Sequence, residues 1–102
     1  MRKVEWGDTL FEKFETTRKV NGIDTAVDAA NYSAALETYV SEPTEVEELS
    51  CLKIGTGEYV VSFYAEKTVY APMENYYITF YWDYAGLHKC ERVAIKIEVD
   101  VK

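Results

Sequence analysis

The chain has 102 residues, 48% hydrophobic and 28% charged, with a formal net charge of −7. That length suits one domain over residues 1–102 with a single core and leaves no room for a second. Basic residues are few and scattered, which argues against a phosphate-backbone partner, and uncharged stretches such as Asn75 to Trp82 fall far short of the roughly 20 residues of a membrane helix. The leading MRKVEWGD has no apolar signal core behind its two basic residues, so the expectation is no nucleic acid and no membrane.

In the first half the periodicity supports two readings. Leu10, Phe11 and Phe14 fit one helix face behind a Thr9/Glu12 capping box, and Ile23, Ala26, Val27, Ala30 and Ala34 are spaced for another. This gives an α+β chain with one or two N-terminal helices packed on an antiparallel sheet. Read at period 2, Tyr32, Ala34, Leu36, Thr38 and Val40 form a strand ending at Pro43, and Asn21-Gly22 becomes a hairpin turn. Glu42, Glu45, Glu47 and Glu48 follow. They are the densest run of an acidic excess that is −6 over residues 1–50 (5 basic, 11 acidic) and −1 over 51–102 (6 basic, 7 acidic). Such a run is a solvated loop in the plain reading and a docking patch for a basic partner in the sharper one.

The second half reads more simply. Gly55-Thr56-Gly57 is a turn signal, and EYVVSFY after it alternates Tyr59, Val61 and Phe63 with Val60, Ser62 and Tyr64. NYYITFYWDY, residues 75–84, puts Tyr76, Ile78, Phe80 and Trp82 on a core face and Tyr77, Thr79, Tyr81 and Asp83 on a face that tolerates water. RVAIKIEVDVK places Val93, Ile95, Ile97, Val99 and Val101 on one side of a half-buried strand. Tyr77 and Tyr81, with Tyr64 if its strand lies alongside, are the candidate contact residues, because tyrosines offer rigid amphipathic area at low entropic cost.

Catalytic and metal chemistry find little support. Cys51 and Cys90 are the only cysteines, at neither zinc nor redox spacing, and His88 is the only histidine. There is no phosphate-binding Gly-rich loop and no nucleophile elbow. No cofactor or metal is expected, and the chain is expected not to be an enzyme. The enzymatic alternative is an unrecognised carboxylate pair among 18 acidic residues.

The order of these signals resembles the small immunoglobulin-like β-sandwich proteins of tailed phages and prophages. The matching pieces are Gly7-Asp8, Asn21-Gly22, Asp28 leading to Val40 and Pro43, Thr56-Gly57-Glu58-Tyr59, Tyr76 to Trp82, Gly86, Glu91 and the strand to Val99. The resemblance implies an all-β, immunoglobulin-like antiparallel sandwich of about seven strands, near residues 9–16, 24–28, 31–41, 46–54, 58–65, 75–84 and 91–101. It also implies a structural or protein-interaction module, virion-associated or serving assembly, located in the virion or the host cytoplasm. The expected partner is a protein or a second copy in a homodimer. The alternative function is an acidic inhibitor whose Glu42, Glu45, Glu47 and Glu48 mimic a ligand of a basic host surface.

Overall fold

The computed structural model describes residues 1–67, 69–70 and 74–98. Among these the chain is all-β, with no helix: β1 (Arg2–Glu5), β2 (Thr9–Glu15), β3 (Thr17–Val20), β4 (Ile23–Ala26), β5 (Asn31–Thr38), β6 (Glu45–Gly55), β7 (Glu58–Tyr64), β8 (Asn75–Tyr84) and β9 (Leu87–Glu98). The expected helices are therefore corrected. Leu10 and Phe14, four apart, suit either period and both are buried; Phe11 separates the two readings and is exposed. Val99 and Val101 lie outside the described residues.

Seven strands form one sheet in the order β1-β9-β8-β5-β6-β7-β2. The sheet is mixed and not wholly antiparallel, because β1 runs parallel to β9 and sets Val4 beside Ile97. The two-stranded ribbon β3–β4 stands apart from it.

β6 belongs to both halves of the sheet. Its first part pairs with β5, from Glu37↔Glu45 to Ala34↔Leu49, and its second with β7, from Ser50↔Ser62 to Gly55↔Glu58. The strand thus carries the sheet over onto itself. Phe14 of β2 stacks on Phe80 of β8 at 5.1 Å between ring centroids, and Tyr59 of β7 meets Phe80 at 5.3 Å. Neither β2 nor β7 is hydrogen-bonded to β8, so these rings meet only face to face. The result is a sandwich-like arrangement. Leu36, Ile78, Phe80, Ile95 and Ile97 from one layer close on Leu10, Phe14, Tyr59, Val61 and Phe63 from the other. Each such side chain contributes about 1.5–3 kcal/mol by leaving water. Trp82 is buried in the same cluster, as its register with Phe80 and Ile78 requires.

The opposite side of the sandwich, between the terminal strands β1 and β2, is closed by side chains. The Arg2 guanidinium pairs with the Glu12 carboxylate and donates to the Phe11 carbonyl at 3.4 Å. Beyond β1 the chain crosses from one layer to the other: the Trp6 amide donates to the Glu98 carbonyl, and the Gly7 amide to that of Ala65. The Trp6 indole N–H donates to the Tyr70 carbonyl at 3.0 Å.

The β3–β4 ribbon turns at Asn21-Gly22, whose φ angles of 52° and 77° are those of a type I′ hairpin. Its base is held at Gly57. The Gly57 carbonyl accepts from the Thr16 amide, and its amide donates to Asp28 Oδ1 at 2.9 Å. Gly57 has φ +64°, and a Cβ there would stand 2.7 Å from the Thr16 carbonyl oxygen. Both the left-handed backbone and the approach of another main chain require glycine. Gly57→Ala should therefore cost about 2–4 kcal/mol and lower the melting temperature by roughly 10 °C or more. A shift within about 2 °C would show that this junction is not tightly packed.

Candidate functional site

Tyr77 and Tyr81 stand on one face of β8, as expected, but they are half-buried and engaged. Tyr77 packs on Tyr39 with ring centroids 4.8 Å apart. The Tyr81 hydroxyl donates to Glu37, which also accepts from Thr79 Oγ1 at 2.5 Å and from Arg92 Nε at 3.1 Å. Glu37 is only 4% exposed, and Ala35 and Thr79 beside it are buried although their parity turns them away from Leu36 and Phe80. Both faces of the β5–β8 pair are thus closed around Glu37, while Asn31, Tyr32 and Ser33 at the start of β5 are exposed. Burial pushes the Glu37 carboxyl up, but the donations from Thr79, Tyr81 and Arg92 outweigh it and hold the group below the usual carboxylate range. Burial, and then Glu37 itself, push the Tyr81 hydroxyl up. The two tyrosines therefore cover a polar network and keep only part of their surface in water.

Tyr64 does not lie alongside them. Its strand, β7, sits between β6 and β2 in the other layer. The acidic run is divided as well. Glu42 lies between β5 and β6, and Glu45 pairs opposite Glu37, whereas Glu47 and Glu48 stand at the bend of β6. There they meet Tyr64, Glu66 and Val69 around a cavity of about 490 Å³. The buried Tyr70 lines the same cavity, and burial, followed by the nearby Glu47 carboxylate, raises its hydroxyl well above the ordinary tyrosine range. Three of the seven residues singled out in the sequence are thereby brought together: Tyr64, Glu47 and Glu48.

An apolar strip adjoins this cavity. Thr9↔Tyr64, Phe11↔Ser62 and Lys13↔Val60 are pairs across β2 and β7, and Leu52↔Val60 is a pair across β6 and β7. Tyr64, Phe11, Val60 and Leu52 are consequently direct or diagonal neighbours on one surface. Phe11 is 63% exposed, Leu52 66% and Tyr64 54%, and Ile54 two residues along β6 is exposed too. Phe11 was hidden from the sequence reading by its neighbours, since a helical period groups it with Leu10 and Phe14. At period 2, TLFEKFE shows it facing outward.

Two carboxylates do converge elsewhere. Glu15 and Glu91 line a cleft of about 640 Å³ between the sheet and the β3–β4 ribbon, together with Lys13 and Asp24. Burial, and then the Glu15 charge, push the Glu91 carboxyl up. Five of the seven lining residues are exposed, so water screens the pair, and Lys13 lies 3.6 Å from Glu15 and 2.9 Å from Glu58. Among the described residues no three His, Cys, Asp or Glu side chains are placed to hold a metal ion. His88 pairs with Asp83 at the start of β9; Cys51 is half-buried and Cys90 exposed, and neither is in a disulfide.

The two perturbed carboxyls give opposite pH dependences. Glu37 has a depressed folded-state pKa, so its stabilisation is present above the unfolded value near 4.3 and is lost as pH falls through the folded value. Glu37→Gln should cost about 2–4 kcal/mol at pH 7, and the gap to the wild type should narrow below about pH 4. Glu91 has a raised folded-state pKa, so its charge opposes folding as pH rises through that value. Glu91→Gln should stabilise slightly at pH 7, by no more than about 0.5 kcal/mol given its exposure, and the gain should vanish in acid. Chemical denaturation of both variants from pH 3 to 8 checks the signs; a Glu37→Gln variant as stable as the wild type at pH 7 would remove the network from the account. The chain matches no family model, no curated protein and no solved structure.

Proposed function

We propose that the chain is a non-catalytic protein-interaction module built as an immunoglobulin-like sandwich, of the kind that tailed phages place on or use to assemble their virions. The pairing supports the topology. In such sandwiches one layer is built from the second, fifth and fourth strands and the other from the third, sixth and seventh. Here β2-β7-β6 and β5-β8-β9 have that adjacency, with β1 added parallel at the edge of the second layer. The phage setting rests on the sequence resemblance alone, and neighbouring genes for capsid, portal or tail components would support it.

The observation that carries the interaction role is the strip Tyr64–Phe11–Val60–Leu52, a contiguous apolar surface on a chain otherwise rich in charge. Such patches mark contact sites more often than scattered exposed residues do. The Tyr77–Tyr81 face serves the fold, and Tyr64 belongs to the contact surface. An enzymatic role for Glu15 and Glu91 has less behind it, because their cleft is open to water and Lys13 reaches Glu15.

Replacing Phe11 and Leu52 together by Ser should move the melting temperature by no more than a few degrees, since both side chains are already in water. A photo-cross-linking residue at Ser50, beside the strip, should give a discrete protein adduct in the cell of origin, lost in the Phe11→Ser/Leu52→Ser background. The same residue at Asp24 in the ribbon should give none. Equal yields at both positions, or no adduct at Ser50, would contradict the assignment.

A further inference from the structure

The contact surface just proposed ends at the cavity beside the bend of β6, where three carboxylates gather. Glu12, Glu15, Asp24, Asp28, Glu37, Glu58 and Glu98 each have a Lys or Arg within ion-pair distance. Glu47, Glu48 and Glu66 line one cavity, and among the described residues none of the three is ion-paired and no Lys or Arg lines the cavity with them. Leu49 and Tyr70 are buried in its wall, while Tyr64 and Val69 are more than half exposed. Its volume of about 490 Å³ lies within the range of sites that enclose a small ligand or a side chain. The apolar strip runs from Tyr64 away from it.

We propose that this cavity takes the cationic side chain of an extended segment of a partner protein, whose neighbouring apolar side chains lie along Phe11, Val60 and Leu52. The inference rests on the protein-interaction reading above and adds the chemistry of the partner. Charge complementarity chooses the occupant. A second copy would bring another −7 toward three carboxylates without an ion pair, and the one cation among the described residues on the strip's own face, Lys13, lies beside Glu15 and Glu58. A segment with a Lys or Arg followed at every second position by an apolar residue matches both parts of the surface, because alternate side chains of an extended chain share one face, the positive charge supplying encounter rate and orientation and the apolar contacts supplying residence.

The test titrates ¹⁵N-labelled protein at low and at physiological salt with two probes of equal length and charge, a Lys-Val peptide in which Val stands at every second position after a leading Lys with Ser between, and a Lys-Ser peptide in which Ser replaces each Val. The Lys-Val peptide should shift amides of Thr9, Phe11, Glu47 to Ser50, Ser62 and Tyr64 and bind at least tenfold more tightly than the Lys-Ser peptide. Its affinity should fall with salt. Glu47→Gln/Glu48→Gln/Glu66→Gln should weaken it at least tenfold with an unchanged melting curve; if that triple variant is unstable, Glu48→Gln/Glu66→Gln, both at exposed positions, should weaken it at least threefold. Equal binding of the two peptides, shifts centred on Glu42 and Glu45 or on the Glu15–Glu91 cleft, or no binding at millimolar peptide would overturn the proposal. If the peptides fail while the Ser50 cross-link survives, the cationic partner falls and the interaction surface stands; loss of the cross-link as well removes both.

Discussion

The structure depends on one strand serving two layers. β6 gives its first five residues to β5 and the rest to β7, so the turnover of the sheet is made within a continuous backbone. A register shift between Leu36 and Glu37 accompanies the first part, and another between Lys53 and Gly55 ends the second. Bulges of this kind raise local twist and let a strand change direction without leaving its hydrogen bonds unmade. Once β6 turns, Phe14, Tyr59 and Phe80 can meet, and among the described residues no further layer covers the outer surface of β2-β7-β6.

The remaining polar arrangements follow from that geometry. Closing the sandwich along β6 leaves β1 and β2 as facing ends, and Arg2 with Glu12 spans the gap where unpaired strand edges would otherwise invite other chains. On the outer surface of the larger layer, Glu37 organises Thr79, Tyr81 and Arg92, satisfying every group it draws out of water. That surface is polar but internally committed. The smaller layer joins Lys13 to Glu15 and Glu58 on its outer surface and otherwise presents Phe11, Leu52 and Tyr64, so the two outer faces of one sandwich differ in chemistry.

β7, β8 and the later part of β9 were plain in the sequence, because Tyr59, Val61 and Phe63, then Ile78, Phe80 and Trp82, then Ile95 and Ile97 stand at alternate positions and all are buried, whereas β9 begins at Leu87, ahead of the expected position 91. Asn21-Gly22 also announced its turn. β1 was not legible: RKVE holds a single apolar residue, and its place is fixed by parallel pairing with residues over 90 positions away. β3 and β4 bury neither face, so nothing imposes a period on TRKV. The site was half legible. Tyr64 and the glutamates could be suspected by type, but which of them meet was decided by the bend of β6, and the burial of Glu37 by partners 42, 44 and 55 residues distant.

The folding over of the sheet at β6 can be read from a nuclear Overhauser experiment on the aromatic rings together with amide exchange along β6. Strong ring-to-ring contacts are expected between Phe14 and Phe80 and between Tyr32 and Tyr59, with slow exchange continuing through the bend from Glu47 to Leu52. Absence of those ring contacts, with β7 and β2 exchanging as a unit separate from β5, β8 and β9, would contradict it.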